Sequence, residues 1–466
     1  MQRWHLTAGL AGSVALAALI VPQLQATVQT PPPSPLVKNT PEDPVAPPEA
    51  RVLGKLELTA GLDHPVVLAG RIEERLLVMT VRAADSNLGE ERPVNVSVVM
   101  DRSGSMAGRG KMDYARIAAK ELVEALDARD RFSFVTFSDR AELVVPSSPV
   151  LDPGALFRAI DRVYEGGGTN LYDGLTEGLA QVRAHADDAS VNRVVVLSDG
   201  NANVGISDPG ELARLAGRWS DQGVSVSTIG LGLDYNEDLL AAMSDRGGGT
   251  YRFVDDPDTL AMIFQDELHQ MTSVAASGVS LEINLPGAQL VEVYGYDVEP
   301  STSGFRVWLG DVYAGQTRKV VAKVRVPSGT AGLEPMVAQV ALDELGAPVD
   351  YIPVPVLAKV TADVHEVDRV VNRELAVIGT SAQSSALADK AARAYAEGRQ
   401  KDSIQLIQAS QLVAGEAASR YNDPSLQTQA DDIAIQQESY INFDNSSVEG
   451  RRAVKENKEK ARDWSR

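Results

Sequence analysis

The sequence has no cysteine, only five histidines among 466 residues, and aromatic side chains at 5%. The missing cysteines exclude disulfides, thiolate nucleophiles, Cys-ligated metals and a lipid-bearing cysteine. The histidines (His5, His64, His185, His269, His365) are scattered, and none forms the His-Glu-x-x-His pair of a zinc peptidase. Positive charge is also short: 44 Lys and Arg stand against 64 Asp and Glu, a formal net charge of −20. That sign repels phosphate backbones, so nucleic acid is not expected as a partner. Long apolar runs are confined to the start of the chain. There Arg3 precedes an almost unbroken apolar or small stretch, Leu6 to Val21, and then Leu24-Gln25-Ala26, which reads as an export signal over 1–26. The stretch falls short of the roughly 20 residues of a spanning helix. An uncleaved anchor is the competing reading, and it is the one route to a membrane that the sequence offers. The expected location is therefore exported, either periplasmic or at the cell surface.

At 466 residues the chain exceeds one ordinary core. Residues 27–50 hold eight prolines without apolar periodicity, which marks an extended linker. Short β-like runs fill 51–91. Within 92–275, continuous apolar strands (Val94–Met100, Phe132–Phe137, Val194–Leu197, Val224–Leu231) alternate with amphipathic segments, which predicts a doubly wound, mostly parallel α/β sheet. From 276 to 362 the helices give way to short, Gly- and Pro-punctuated runs, expected to form a flanking β-sandwich. The strands of 51–91 are too few to bury a core alone and are expected to join it. Residues 363–466 read as a helical C-terminal region. A helix pair at 386–418 resembles a single tetratricopeptide unit without a second copy, and the Lys/Arg-rich tail from Gly450 reads as a solvated helix.

The chemistry concentrates in three places. Asp101-Arg102-Ser103-Gly104-Ser105 follows the first apolar strand, Gly166-Gly167-Gly168-Thr169 lies between helical patterns, and Asp199-Gly200 ends another buried strand. In doubly wound sheets, ligands bind outside the carboxyl ends of the strands where strand order reverses, and both aspartates fall at such ends. Hydroxyl and carboxylate oxygens without Cys or His suit Mg²⁺, Mn²⁺ or Ca²⁺. Catalytic readings fail on the letters. Ser103 stands where a phosphoaspartyl phosphatase needs a second Asp. Ser105 and Met112 break a P-loop around Gly108-Arg109-Gly110-Lys111, and neither serine has a Gly-x-Ser-x-Gly elbow.

This set of segments resembles the von Willebrand factor type A family, whose metal-ion-dependent adhesion site draws Asp-x-Ser-x-Ser, a Thr and an Asp from three loops. Asp101, Ser103, Ser105, Thr169 and Asp199 match all five positions. The resemblance implies a Mg²⁺ site, with Mn²⁺ or Ca²⁺ as alternatives. Ser103 and Ser105 would bind directly, Asp101 and Asp199 through water, and Thr169 either way. It further implies a non-enzymatic module for adhesion or envelope assembly, whose protein ligand supplies an acidic residue to the metal. The alternative from the same family is an accessory subunit of an ATPase or chelatase-type machine, against which the export signal argues. In adhesion members of the family a shift of the domain's last helix, here Pro257 to Met271, accompanies rearrangement of the metal loops.

Overall fold

The computed structural model describes residues 48–85, 92–187, 189–327, 329–345 and 353–465. The expected export signal, and the expected linker up to residue 47, lie outside the described residues. The first four strands are β1 (Glu49–Leu53), β2 (Leu56–Leu62), β3 (Val66–Leu68) and β4 (Glu73–Ala83). In β4, Leu77, Met79 and Val81 enter one core while Leu76 and Val78 enter another. Burial on both faces explains why its apolar run is continuous rather than alternating.

The α/β unit follows. It contains β5 (Val94–Asp101), α1 (Lys111–Ala125), β6 (Arg131–Phe137), β7 (Ala141–Pro149), α2 (Pro153–Ile160), α3 (Leu171–Arg183), β8 (Val191–Ser198), α4 (Pro209–Ser220), β9 (Val224–Leu231), α5 (Glu237–Arg246), β10 (Gly248–Val254) and α6 (Leu260–Thr272). Strand order is β10-β9-β8-β5-β6-β7, parallel throughout except for the β6–β7 pair at the edge. Every residue of β5, β8 and β9 is buried, as helices on both faces require. Order reverses between β5 and β8, so the crevice at their carboxyl ends is the switch point of the sheet. Glycine brings α3 against that sheet: a Cβ on Gly178 would lie 2.3 Å from a Val99 methyl, and one on Gly174 2.6 Å from the Phe137 ring.

The chain then builds β11 (Val274–Asn284), β12 (Gln289–Tyr294), β13 (Val298–Pro300), β14 (Gly304–Tyr313), β15 (Thr317–Val326), β16 (Met336–Asp343), β17 (Val354–Leu357) and β18 (Lys359–Thr361). They form two five-stranded sheets, β1-β2-β4-β15-β12 and β13-β14-β11-β16-β17, with β18 pairing β3 in parallel. The sandwich thus takes strands from both sides of the α/β unit. β4 lies antiparallel to β15 along its length, from Glu73–Val326 to Arg82–Thr317, and Leu58, Leu77, Leu281, Val307 and Val340 share one core.

The last region is α7 (Val364–Arg369), α8 (Arg373–Ala396), α9 (Gln400–Tyr421), α10 (Pro424–Asn442) and α11 (Val448–Ser465). Small residues let the long helices approach closely. Ser384 and Ser410 exchange hydroxyl-to-carbonyl hydrogen bonds at 2.9 and 2.7 Å, and the Tyr395 and Tyr440 rings stack at 4.5 Å. Leu375 and Ala382 of α8 cover Leu76, Val78 and Val321 on the outer face of the first sheet. The helix pair expected at 386–418 is therefore part of a larger helical layer. No helix among the described residues is long and apolar enough to cross a membrane.

The structure overturns the solvated tail, and it also ends the expected linker early, since β1 takes up Glu49 and Ala50. α11 docks on the α/β unit through charge: Lys455 Nζ lies 2.8 Å from Glu237, Lys458 Nζ 3.0 Å from both Glu237 and Asp238, and Arg451 Nη1 2.6 Å from Asp234. Lys455 and Lys458 are buried. Burial acts to raise the Glu237 carboxyl, but Lys458 and Lys455 more than offset it and draw it down to about 2. A basic tail reads as solvated from its own letters because its acidic partners lie more than 200 residues away. Removing Lys455 leaves the sheltered Glu237 with Lys458 alone, which Asp238 also shares. Lys455→Ala should therefore lower stability by about 2–4 kcal/mol in urea titration, and a loss below ~0.5 kcal/mol, typical of exposed pairs, would show that the helix is only loosely applied.

Candidate metal centre

The candidate site is assembled where β5 and β8 end. Asp101 is the last residue of β5 and is fully buried. One of its carboxylate oxygens accepts the Ser103 N–H at 2.8 Å, and the other accepts the Ser198 hydroxyl at 2.7 Å. Burial dominates its ionisation and, with the neighbouring Asp199 charge, pushes the carboxyl up to about 6 against the hydrogen bonds from Ser103 and Ser198. The chain then enters a 3₁₀ turn over Gly104–Gly110. Ser103 is buried and Ser105 exposed, with their hydroxyl oxygens 3.0 Å apart.

Asp199, just past β8, is fully buried and divides its oxygens. Oδ1 accepts the Ser105 hydroxyl at 2.7 Å, and Oδ2 faces Lys111 Nζ at 2.5 Å. Thr169 arrives from the third loop. Gly167, at φ +91°, makes the bend that a side chain would resist, and its carbonyl accepts the Gly104 N–H at 3.1 Å, tying this loop to the serine loop. Asn170 caps α3 by accepting the Asp173 N–H. Asn203 Oδ1 accepts the Thr169 N–H at 2.8 Å. A Cβ on Gly200 would stand 3.5 Å from both the Ser105 and the Thr169 hydroxyl oxygens, so both hydroxyls line the same turn.

The structure thus brings the five residues singled out in the sequence to one crevice. Two carboxylates lie beneath a rim of hydroxyls, and no group of three or more His, Cys, Asp or Glu converges anywhere among the described residues. Any cation here must rely on the hydroxyls. Sequence reasoning missed Ser198, Asn203 and Lys111. The first two look like ordinary strand-end and loop residues. Lys111 carried a usable signal, since a lysine in the first turn of a helix opposes the helix dipole and needs a carboxylate partner.

The family model of the von Willebrand factor type A domain matches residues 95–266. Residues 95–266 are a von Willebrand factor type A domain. Such domains are protein-interaction modules. The chain is 28% identical over 222 residues to the uncharacterized protein YfbK of Escherichia coli, a match covering 47% of this chain and 39% of that protein. It is 29% identical over 221 residues to the uncharacterized protein sll0103 of Synechocystis, covering 47% and 52%. The matches therefore span only about half of these relatives or less. A von Willebrand factor type A structure from Catenulispora acidiphila superposes with a TM-score of 0.64 at 20% identity, over 80% of this chain and 89% of that one. Its likeness extends the shared fold well beyond the domain itself.

The raised Asp101 carboxyl makes a prediction about the protein in chelator. A carboxyl with a folded pKa above its unfolded value costs stability once ionised, so this group favours the fold more as pH falls from 7 through about 6. Asp101→Asn should exceed wild type by up to about 3 kcal/mol at pH 7, with the gap closing toward pH 4. Denaturant titrations at several pH values measure this, and a gap independent of pH would contradict the assignment.

Proposed function

We propose that the 95–266 domain holds a divalent cation, Mg²⁺ with Mn²⁺ or Ca²⁺ as substitutes, at Asp101, Ser103, Ser105, Thr169 and Asp199, and uses it to capture an acidic side chain of a protein ligand at the cell envelope. The observation that carries this reading is the 3.0 Å between the Ser103 and Ser105 hydroxyl oxygens. Adjacent ligands of an octahedral Mg²⁺, each ~2.1 Å from the ion, stand about 3.0 Å apart. The donor set also fits, being hard oxygen throughout.

The side chains divide the work by depth. Ser105 holds its hydroxyl at the mouth, open to solvent, while Ser103 and Thr169 are buried. Asp101 and Asp199 lie buried behind them, each with both oxygens already oriented by neighbours. Their charge therefore acts on the mouth without filling it. When bound, the cation supplies an electrophilic centre with a coordination position for the ligand's carboxylate. Ser105 donates to the Asp199 carboxylate, but Lys111 already holds that carboxylate and leaves it a poor base, and the two serine hydroxyls face each other. That favours binding over nucleophilic catalysis.

Calorimetry with Mn²⁺ on the full chain tests the centre. Ser103→Ala combined with Ser105→Ala should weaken binding at least tenfold while unfolding stays cooperative, and an unchanged affinity would sink the assignment. For the ligand, envelope proteins retained on wild type in Mg²⁺ should be released by EDTA and should not be retained by the double variant. Retention that ignores EDTA would place the binding surface elsewhere.

A further inference from the structure

We infer that Lys111 is a fixed counter-cation of this centre, which weakens its hold on the metal and leaves the loaded site net positive. The inference rests on the cation-binding reading above. Its basis is the pairing of Lys111 Nζ with Asp199 Oδ2 at 2.5 Å, on a lysine side chain only 10% exposed and a carboxylate that is not exposed at all.

The placement runs against what lysine prefers. Lysines usually keep the ammonium in water and bury only the stem. Lys111 is also the first residue of α1, where the free N–H groups already present positive charge. Two features hold it there. Gly110 begins the helix in a left-handed conformation at φ +69°. Gly232, at φ +78°, turns its backbone against the side chain, the position of a Cβ there lying 3.5 Å, an ordinary contact distance, from both Cε and Nζ.

The charge count gives the consequence. Asp101 and Asp199 are two buried carboxylates in one crevice. With Lys111 the site carries one net negative charge, and a dication turns it into one net positive charge. Without Lys111 the loaded site would be neutral. An incoming dication is repelled by the ammonium and meets a carboxylate that the ammonium already holds. A loaded centre with residual positive charge favours an anionic ligand, which is the class proposed above. In the absence of metal, the ammonium screens the two carboxylates from each other and keeps the loops in place.

The test uses the full chain and Mn²⁺ alone. Lys111→Met should bind Mn²⁺ at least tenfold more tightly by calorimetry, melt lower than wild type in EDTA, and gain more in melting temperature on adding Mn²⁺. Lys111→Arg, which keeps the charge, should stay within about threefold of wild type. A Lys111→Met protein that is unfolded in EDTA and folds on adding Mn²⁺ also supports the inference. If it stays unfolded, Lys111→Gln carries the comparison with Lys111→Arg, with the same tenfold expectation. Equal or weaker Mn²⁺ binding by the neutral variants, with wild type binding normally, overturns the role of Lys111 and leaves the metal centre standing. No Mn²⁺ binding by wild type or any variant overturns both.

Discussion

The α/β unit and the sandwich are tied together by one buried cation. Arg193, near the start of β8, is wholly buried. Its Nη1 lies 3.0 Å from Glu267 on α6, its Nη2 2.7 Å from Asp311 on β14, and its Nε donates to Ser225 on β9 at 3.0 Å. The guanidinium also stands 5.6 Å from the centre of the Tyr313 ring. A buried charge is tolerated only when its partners are all present, and losing one costs roughly 3–5 kcal/mol. Here the partners come from the central sheet, the last helix of the domain and the sandwich. The domain therefore cannot reach its native state independently of the sandwich without stranding this residue, which makes the orientation between them specific as well as stable.

The crevice at the other end of the same sheet applies the opposite arrangement. At the Arg193 end, opposite charges sit close and satisfy one another. At the Asp101 end, two carboxylates sit close and are only partly compensated, by Lys111, by hydroxyls and by one backbone N–H. The apolar strands β5 and β8 impose this by carrying each aspartate out of the core and no further. A site of that kind holds unfavourable charge in reserve, which a cation relieves. The docked tail reaches this end too. Arg451 of α11 pairs with Asp234, whose carbonyl accepts the Asn201 side chain two residues past Asp199.

What was legible in the sequence followed physical range. β5, β8 and β9 announced themselves because strands buried on both faces must be apolar along their length. The five oxygen-bearing side chains were visible because a strand end followed by Gly and Ser is a local pattern. The sandwich was visible from strands punctuated by turns. β7 was not read, since Ala141–Pro149 is a half-exposed edge strand with Glu142, two serines and two prolines. α10 carries too few large apolar residues to stand out, and it is buried by Ala430, Gln429 and Gln436 as much as by Leu426 and Ile433. The errors of substance were all charges. Lys111, Arg193, Lys455 and Lys458 find their partners between 74 and 221 residues away, and no window on one sequence connects them.

The Arg193 cluster also bears on whether the domain can switch. Coupling through the last helix requires α6 to slide, and its buried stripe of Leu260, Phe264, Leu268 and Met271, with Ile263 partly buried, resembles an ordinary packed face. Glu267 changes the balance. It lies on α6 itself, 2% exposed, and accepts hydrogen bonds from Arg193, Ser227 and Thr250. A displacement of one turn would carry its carboxylate about 5.4 Å along the helix axis, away from all three donors. The cost of stranding that charge and Arg193 together is several kcal/mol. Typical coupling between two ligand sites is about 1–3 kcal/mol, which is less than the cost of shifting α6 by a full turn. In this chain α6 packs as a wall of the α/β core and is tied through Arg193 to the sandwich.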